Sequence, residues 1–177
     1  YISLQEANAI AVLNIASGEF NGVYPLGFQD YGTTKVDLQK NDTIELKNYE
    51  NVYGIKMPDG ISVATIGGKT YLLTANEGDS REWGDYLNED EVNFGKGKTS
   101  PTGAITAENS GLTGKVVFFL TEDYDGLNAG KDYLFGGRSF TLYRVDGSAL
   151  TEVFTSGSDF EAKTASYLSD YFNCSND

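Results

Sequence analysis

Histidine is absent from these 177 residues, and cysteine occurs once, as Cys174. Without histidine the chain has no commonest general base, no usual zinc ligand and no Ser–His–Asp arrangement. A single cysteine excludes a disulfide closed within the chain. Cys174 is then either an unpaired thiol or one whose partner lies in another segment or molecule. Basic residues are also scarce. Thirteen Lys and Arg stand against 26 Asp and Glu, a net charge of −13. No basic stripe exists to neutralise phosphates, which argues against nucleic acid and against anionic membrane surfaces. No apolar run is long enough to span a membrane, so membrane insertion is not expected of this segment. There is no initiating Met and no leader. Tyr1 opens directly into a strand pattern, as expected of a piece of a longer secreted protein.

What the chain has in quantity is Tyr (12), Phe (10) and Gly (21), with few helical patterns. This predicts an all-β fold in one domain, residues 1–177, of sufficient length for a real core. Tyr1–Gln5 alternates as a half-buried strand. Ala9–Ile15 is apolar on both faces and reads as a central strand, and Gly22–Gly27 follows. The three make an antiparallel meander, the unit of a propeller blade or of a β-sandwich hairpin series. Ile61–Ile66 and Lys69–Ala75 form a hairpin across Gly67-Gly68, and Ser139–Val145 with Leu150–Phe154 form another across Asp146-Gly147. Lys115–Leu120 is an apolar strand. A short strand around Ile44 and Leu46 is also expected.

Residues 85–114, rich in Gly, Lys, Thr, Ser and Asn, read as a mobile inserted loop, with Lys96 and Lys98 folding back on acidic neighbours. Ser158–Phe172 is the convincing helix. Ser158 and Glu161 make a capping box, and Phe160, Tyr167, Leu168 and Tyr171 form a stripe expected to face the core.

Charge is concentrated in one place. Between Asn76 and Glu91, seven carboxylates face the single Arg81, a net of −6. Like charge at this density must be solvated, paired or screened by a cation, and oxygen donors favour calcium. The first candidate ligands are Glu77, Asp79, Glu82 and Asp85. Asp123, Asp125 and Asn128 are second, in a segment that an ordinary Asp-Gly turn explains as well. Arg138, after a Gly pair, is a candidate clamp for a carboxylate or phosphate, or the partner of a nearby acid such as Asp79. Asn41 and Asn173 head glycosylation triplets.

Four segments together carry a resemblance: YISLQEANAIAVLNIASGEF at 1–20, TANEGDSREWGDY at 74–86, YLFGGRSFTLYRVDG at 133–147 and FTSGSDFEAKTASYLSDYFNCSND at 154–177. In this order they resemble the choice-of-anchor I domain family, which includes a mesenchyme-specific cell-surface glycoprotein and secreted bacterial proteins. The resemblance implies a β-propeller outside the cell or on its surface, and for some members a link to biomineral deposition or a phosphatase- or phytase-like activity. It also places Asn76, Glu77 and Asp79 near a channel mouth.

The eight or so expected strands are too few for a propeller of four to eight four-stranded blades, roughly a quarter to a half of the total. The expected fold is therefore a partial propeller with one short C-terminal helix. Its open edges would be completed by the remaining blades of a parent chain or by self-association through strand addition. Three functions follow. The first is an extracellular structural or binding glycoprotein assisted by calcium ions. The second is a self-assembling filament or surface layer. The alternative is a calcium-dependent phosphate-ester hydrolase.

Overall fold

The computed structural model describes residues 1–39, 41, 43–121, 127–147 and 149–172. Among them the first strands are β1 (Ile2–Leu4), β2 (Ala9–Asn14), β3 (Glu19–Pro25), β4 (Phe28–Asp30) and β5 (Val52–Ile55). Next come β6 (Ile61–Ile66), β7 (Lys69–Asn76), β8 (Glu82–Trp83), β9 (Tyr86–Leu87) and β10 (Glu89–Asn93). Helix α1 (Ala107–Ser110) precedes β11 (Lys115–Phe119), β12 (Asp132–Phe135), β13 (Ser139–Asp146) and β14 (Ala149–Thr155), and α2 (Gly157–Tyr167) follows.

The first three strands form the expected meander, β1-β2-β3, with Ile2 opposite Ala11 and Ile10 opposite Tyr24. Only the first half of β2 is enclosed. Ala9, Ile10 and Ala11 are buried, whereas Ile15 is 90% exposed. Both expected hairpins are present and join in one antiparallel sheet of order β14-β13-β7-β6. Gly67 and Gly68 both take positive φ (58° and 75°), the requirement of a two-residue loop that matches strand twist. This sheet is a four-stranded unit of the kind a blade would use, with residues 77–138 spliced between its two hairpins. No ring of such sheets closes among the described residues. The fold is mostly β, with antiparallel pairing except between β12 and β5, which run parallel. Around Ile44 and Leu46 there is an isolated bridge, Val36 to Lys47, in place of a strand.

Three further expectations need correction. The 85–114 stretch is not a bare loop. It holds β9 and β10, a 3-10 turn and α1, and β10 pairs along its length with β11. Four of its apolar residues, Val92, Phe94, Ile105 and Leu112, are buried in the largest core cluster, with Tyr31, Val52, Val116 and Phe118. Sparse apolar residues suffice here because each is placed where other segments meet it. Nor does the aromatic stripe of α2 face the core. Tyr167 is 81% and Tyr171 79% exposed, and Phe160 and Leu168 are exposed as well. The helix buries Glu161 and Ala165 instead. The capping box does not form either. Ser158 Oγ accepts from the Lys35 N–H at 2.9 Å, and Glu161 is drawn to Arg138.

The sheets are tied by buried polar contacts. Lys56, just past β5, is buried, ion-paired with Glu152 of β14 and 3.3 Å from the Tyr143 hydroxyl of β13. Asp132 is buried because its carboxylate accepts from Thr102 N–H (3.0 Å) and Thr102 Oγ1 (2.8 Å). Among the described residues no helix is long and apolar enough to cross a membrane.

Candidate functional site

Two of the quoted motifs meet in space. The chain leaves β7 through Asn76-Glu77-Gly78 and crosses Phe135-Gly136-Gly137-Arg138 as that segment enters β13. A Cβ at Gly78 would lie 1.9 Å from the Gly136 nitrogen, and one at Gly136 would lie 1.8 Å from the Glu77 carbonyl oxygen. Both glycines have positive φ, 88° and 77°. Only glycine allows backbones so close in that conformation. The crossing is held by Gly78 N–H to Met57 O (3.2 Å) and Arg138 N–H to Asn76 O (3.0 Å).

Asn76 is fully committed beneath this crossing. Its Nδ2 donates to Ser139 Oγ (3.0 Å) and Thr141 Oγ1 (2.8 Å), and its Oδ1 accepts from Thr74 Oγ1 at 2.8 Å. It is a buried amide whose hydrogen bonds join β7 to β13.

Arg138 adopts φ +46°, and its side chain reaches α2. Its Nε donates to Glu161, and its guanidinium lies 5.9 Å from the Phe172 ring. The expected acid partner, Asp79, is thus replaced by one 23 residues onward. Glu161 is buried, and among the described residues its Oε2 makes no hydrogen bond of ordinary geometry, with the Asp37 backbone N–H the group that acts on the carboxyl from that segment. Burial pushes its carboxyl above the ordinary value; Arg138 pulls the other way, and Asp37 adds to the rise. Asp37 is likewise buried and raised by desolvation, eased by the backbone N–H groups of Glu45 and Gln39 and by Arg138. Two buried carboxylates therefore share the field of one guanidinium. Tyr31 and Tyr49 stand beside them, and burial pushes the Tyr49 hydroxyl up to about 12. Sequence reasoning missed Asp37 and gave Glu161 the wrong role. No local signal marks either as buried, because their burial depends on a contact between residues about a hundred positions apart.

A cavity of about 380 Å³ opens between the ends of β7 and β13 and α2. Its walls include Glu77, Arg138, Ser139, Phe160, Thr164 and Phe172.

The remaining candidate ligands do not converge. Glu77 lies beside Asp59. Desolvation, the Asp59 charge and a hydrogen bond with Asp59 raise its carboxyl, and Asp79 adds a smaller push. Asp79 Oδ1 accepts from the adjacent Ser80 N–H at 2.8 Å. Glu82 sits on β8, and Asp85 in the turn between β8 and β9. The lysine that meets the acidic stretch is Lys115, 2.6 Å from Glu91. Arg81 reaches the Glu6 carbonyl at 3.1 Å. Asn128 Oδ1 accepts from Gly130 N–H at 3.0 Å, an Asx turn. Asp123, Asp125 and Asn173 lie outside the described residues, as does Cys174. Among the described residues, no group of three or more His, Cys, Asp or Glu is arranged to hold a metal ion. Asn41 is exposed, its Oδ1 accepting from Thr43 N–H at 2.9 Å.

A family model described as the choice-of-anchor I domain matches residues 1–177, the whole chain. The protein belongs to the choice-of-anchor I family. Comparison with curated proteins and with solved structures gives no match. Membership suggests a surface-associated or secreted protein. In this choice-of-anchor I domain, three of the four segments that carry the resemblance build the glycine crossing and the Arg138–Glu161 pair. Their residue types are explained by packing before any ligand is invoked.

Proposed function

We propose that this protein is an extracellular or surface-associated structural and binding module, which packs one face of its four-stranded sheet against another β-sheet, of a parent chain or of another copy. The observation that supports this is the sheet's outward face. Leu142 pairs with Leu73 on one side and Phe154 on the other, which puts the three in one row across β7, β13 and β14. Phe140 lies on the same face, 5.9 Å from Phe154 and 6.0 Å from Phe160 of α2 between ring centres. Leu73, Phe140, Phe154 and Phe160 are all exposed. A sheet face meeting water is normally polar, and a contiguous apolar patch marks an interaction surface. Replacing Leu73 and Phe154 with Glu tests the reading. Association measured by sedimentation should weaken while the thermal midpoint stays close to wild type.

Calcium does not enter this reading. Calcium takes about six to eight oxygens, and of the described candidate ligands only Glu77 and Asp79 act on each other, with Asp59 beside Glu77. The hydrolase alternative draws no support from Arg138, which is engaged with Glu161. A glycan at Asn41 is compatible with that residue's exposure, and intact-mass measurement with and without glycosidase tests it.

A further inference from the structure

Most sheet edges in the described residues are guarded. Strands β1 and β4 have three residues each. Strand β3 carries a register irregularity near Gly22 and ends at Pro25. Strand β14 meets β13 through a register shift, and its Glu152 is held by Lys56. Strand β10 carries Glu89, Asp90 and Glu91. These are the short lengths, bulges and charges that stop edges from pairing with other chains.

Strand β6 has none of them. It reads ISVATI, six residues without charge, Pro or Gly, and every position after Ile61 is exposed. Its register with β7 runs unbroken from Ile61 opposite Thr74 to Ile66 opposite Lys69. The two-residue loop makes Ile66 and Lys69 a hydrogen-bonded pair, and bonded pairs then alternate. Ser62, Ala64 and Ile66 turn their backbone groups to β7. Ile61, Val63 and Thr65 turn theirs outward, and no other backbone hydrogen bond is made to these three among the described residues.

We propose that β6 pairs with β6 of a second copy, antiparallel about a two-fold axis at Val63. The outward residues are symmetric about Val63, so an identical strand satisfies every outward N–H and C=O. Val63 meets its counterpart, and Ile61 meets Thr65 in both directions. Two four-stranded sheets become one continuous sheet of eight, through an isologous contact that closes on itself. Each copy carries −13, so long-range repulsion opposes the encounter. The contact strand itself is uncharged, so added salt screens the repulsion without weakening the pairing. This inference rests on the structural role proposed above, but it uses a backbone edge in place of the apolar face.

Sedimentation equilibrium of the full chain at physiological and at high salt tests it. A dimer that tightens with salt is expected. Because the Val63 N–H points away from β7, Val63→Pro should abolish the dimer and keep the thermal midpoint. Val63→Lys should do the same by edge protection. Ala64→Pro, which removes a bond to β7, should lower the midpoint. A dimer kept by Leu73→Glu/Phe154→Glu and lost by the Val63 variants supports the edge. A wild type that is monomeric at high salt and high concentration overturns the proposal. So does a dimer unaffected by either Val63 substitution; if the face variant alone disrupts that dimer, the edge fails and the apolar-face reading stands.

Discussion

Arg138 holds Glu161 across the gap between the start of β13 and helix α2, and the carboxylate it holds is nearly inaccessible to water. A guanidinium in a positive-φ residue thereby fixes the longest helix among the described residues to the sheet. Removing one member of such a pair leaves the other charge buried without compensation. Arg138→Met should cost about 3 kcal/mol or more in urea unfolding at neutral pH. Arg138→Met/Glu161→Leu should recover most of that loss, because both variants carry the same backbone strain and only the single one strands a charge. Equal losses would mean that the pair is not what anchors α2.

Asp37 and Glu161 both have carboxyls raised by burial. The native state therefore binds protons more tightly than the unfolded chain. Their contribution to stability is complete below the unfolded values and is lost as pH rises through the raised folded values. Lowering pH from neutral toward mildly acidic should raise the thermal midpoint, a direction shared with reduced self-repulsion at net −13. Asp37→Asn separates the two causes: it should flatten the pH dependence and raise the midpoint at neutral pH. A slope unchanged by this substitution would leave global charge as the explanation.

The glycine crossing admits no side chain. A Cβ at Gly136 meets the Glu77 carbonyl oxygen at 1.8 Å, and that neighbour is backbone. Gly136→Ala should destabilise by more than about 3 kcal/mol or prevent folding. Gly147→Ala, at a hairpin turn with nothing within 4 Å, should cost only the strain of its positive φ. Far-ultraviolet circular dichroism during thermal unfolding checks both.

Both hairpins and the meander were legible because short-range signals write them. Alternation gives the strands, and Gly67-Gly68 or Asp146-Gly147 gives the turns. Residues 85–114 were misread for the opposite reason. Their apolar positions have no steady period, and Phe94 is buried by β11 and by residues far back in the chain. The α2 stripe was misread because helical spacing shows that a face exists without showing what it meets. At the site, Arg138 could be picked out as bound for an acid, but Glu161 and Asp37 are placed by tertiary contact alone. Phe94→Ala measures the first correction. A core position should lose about 3–5 kcal/mol, whereas a residue of a bare surface loop should lose less than about 0.5 kcal/mol.

A photo-cross-linking side chain at position 154, in the protein as its own cells make it, reports directly on what covers the outward face of the β14-β13-β7-β6 sheet. Cross-links should gather on the apolar residues of another β-strand, either elsewhere in the parent chain or in a second copy. Position 154 left unreacted and open to solvent would contradict the packing proposed for that face.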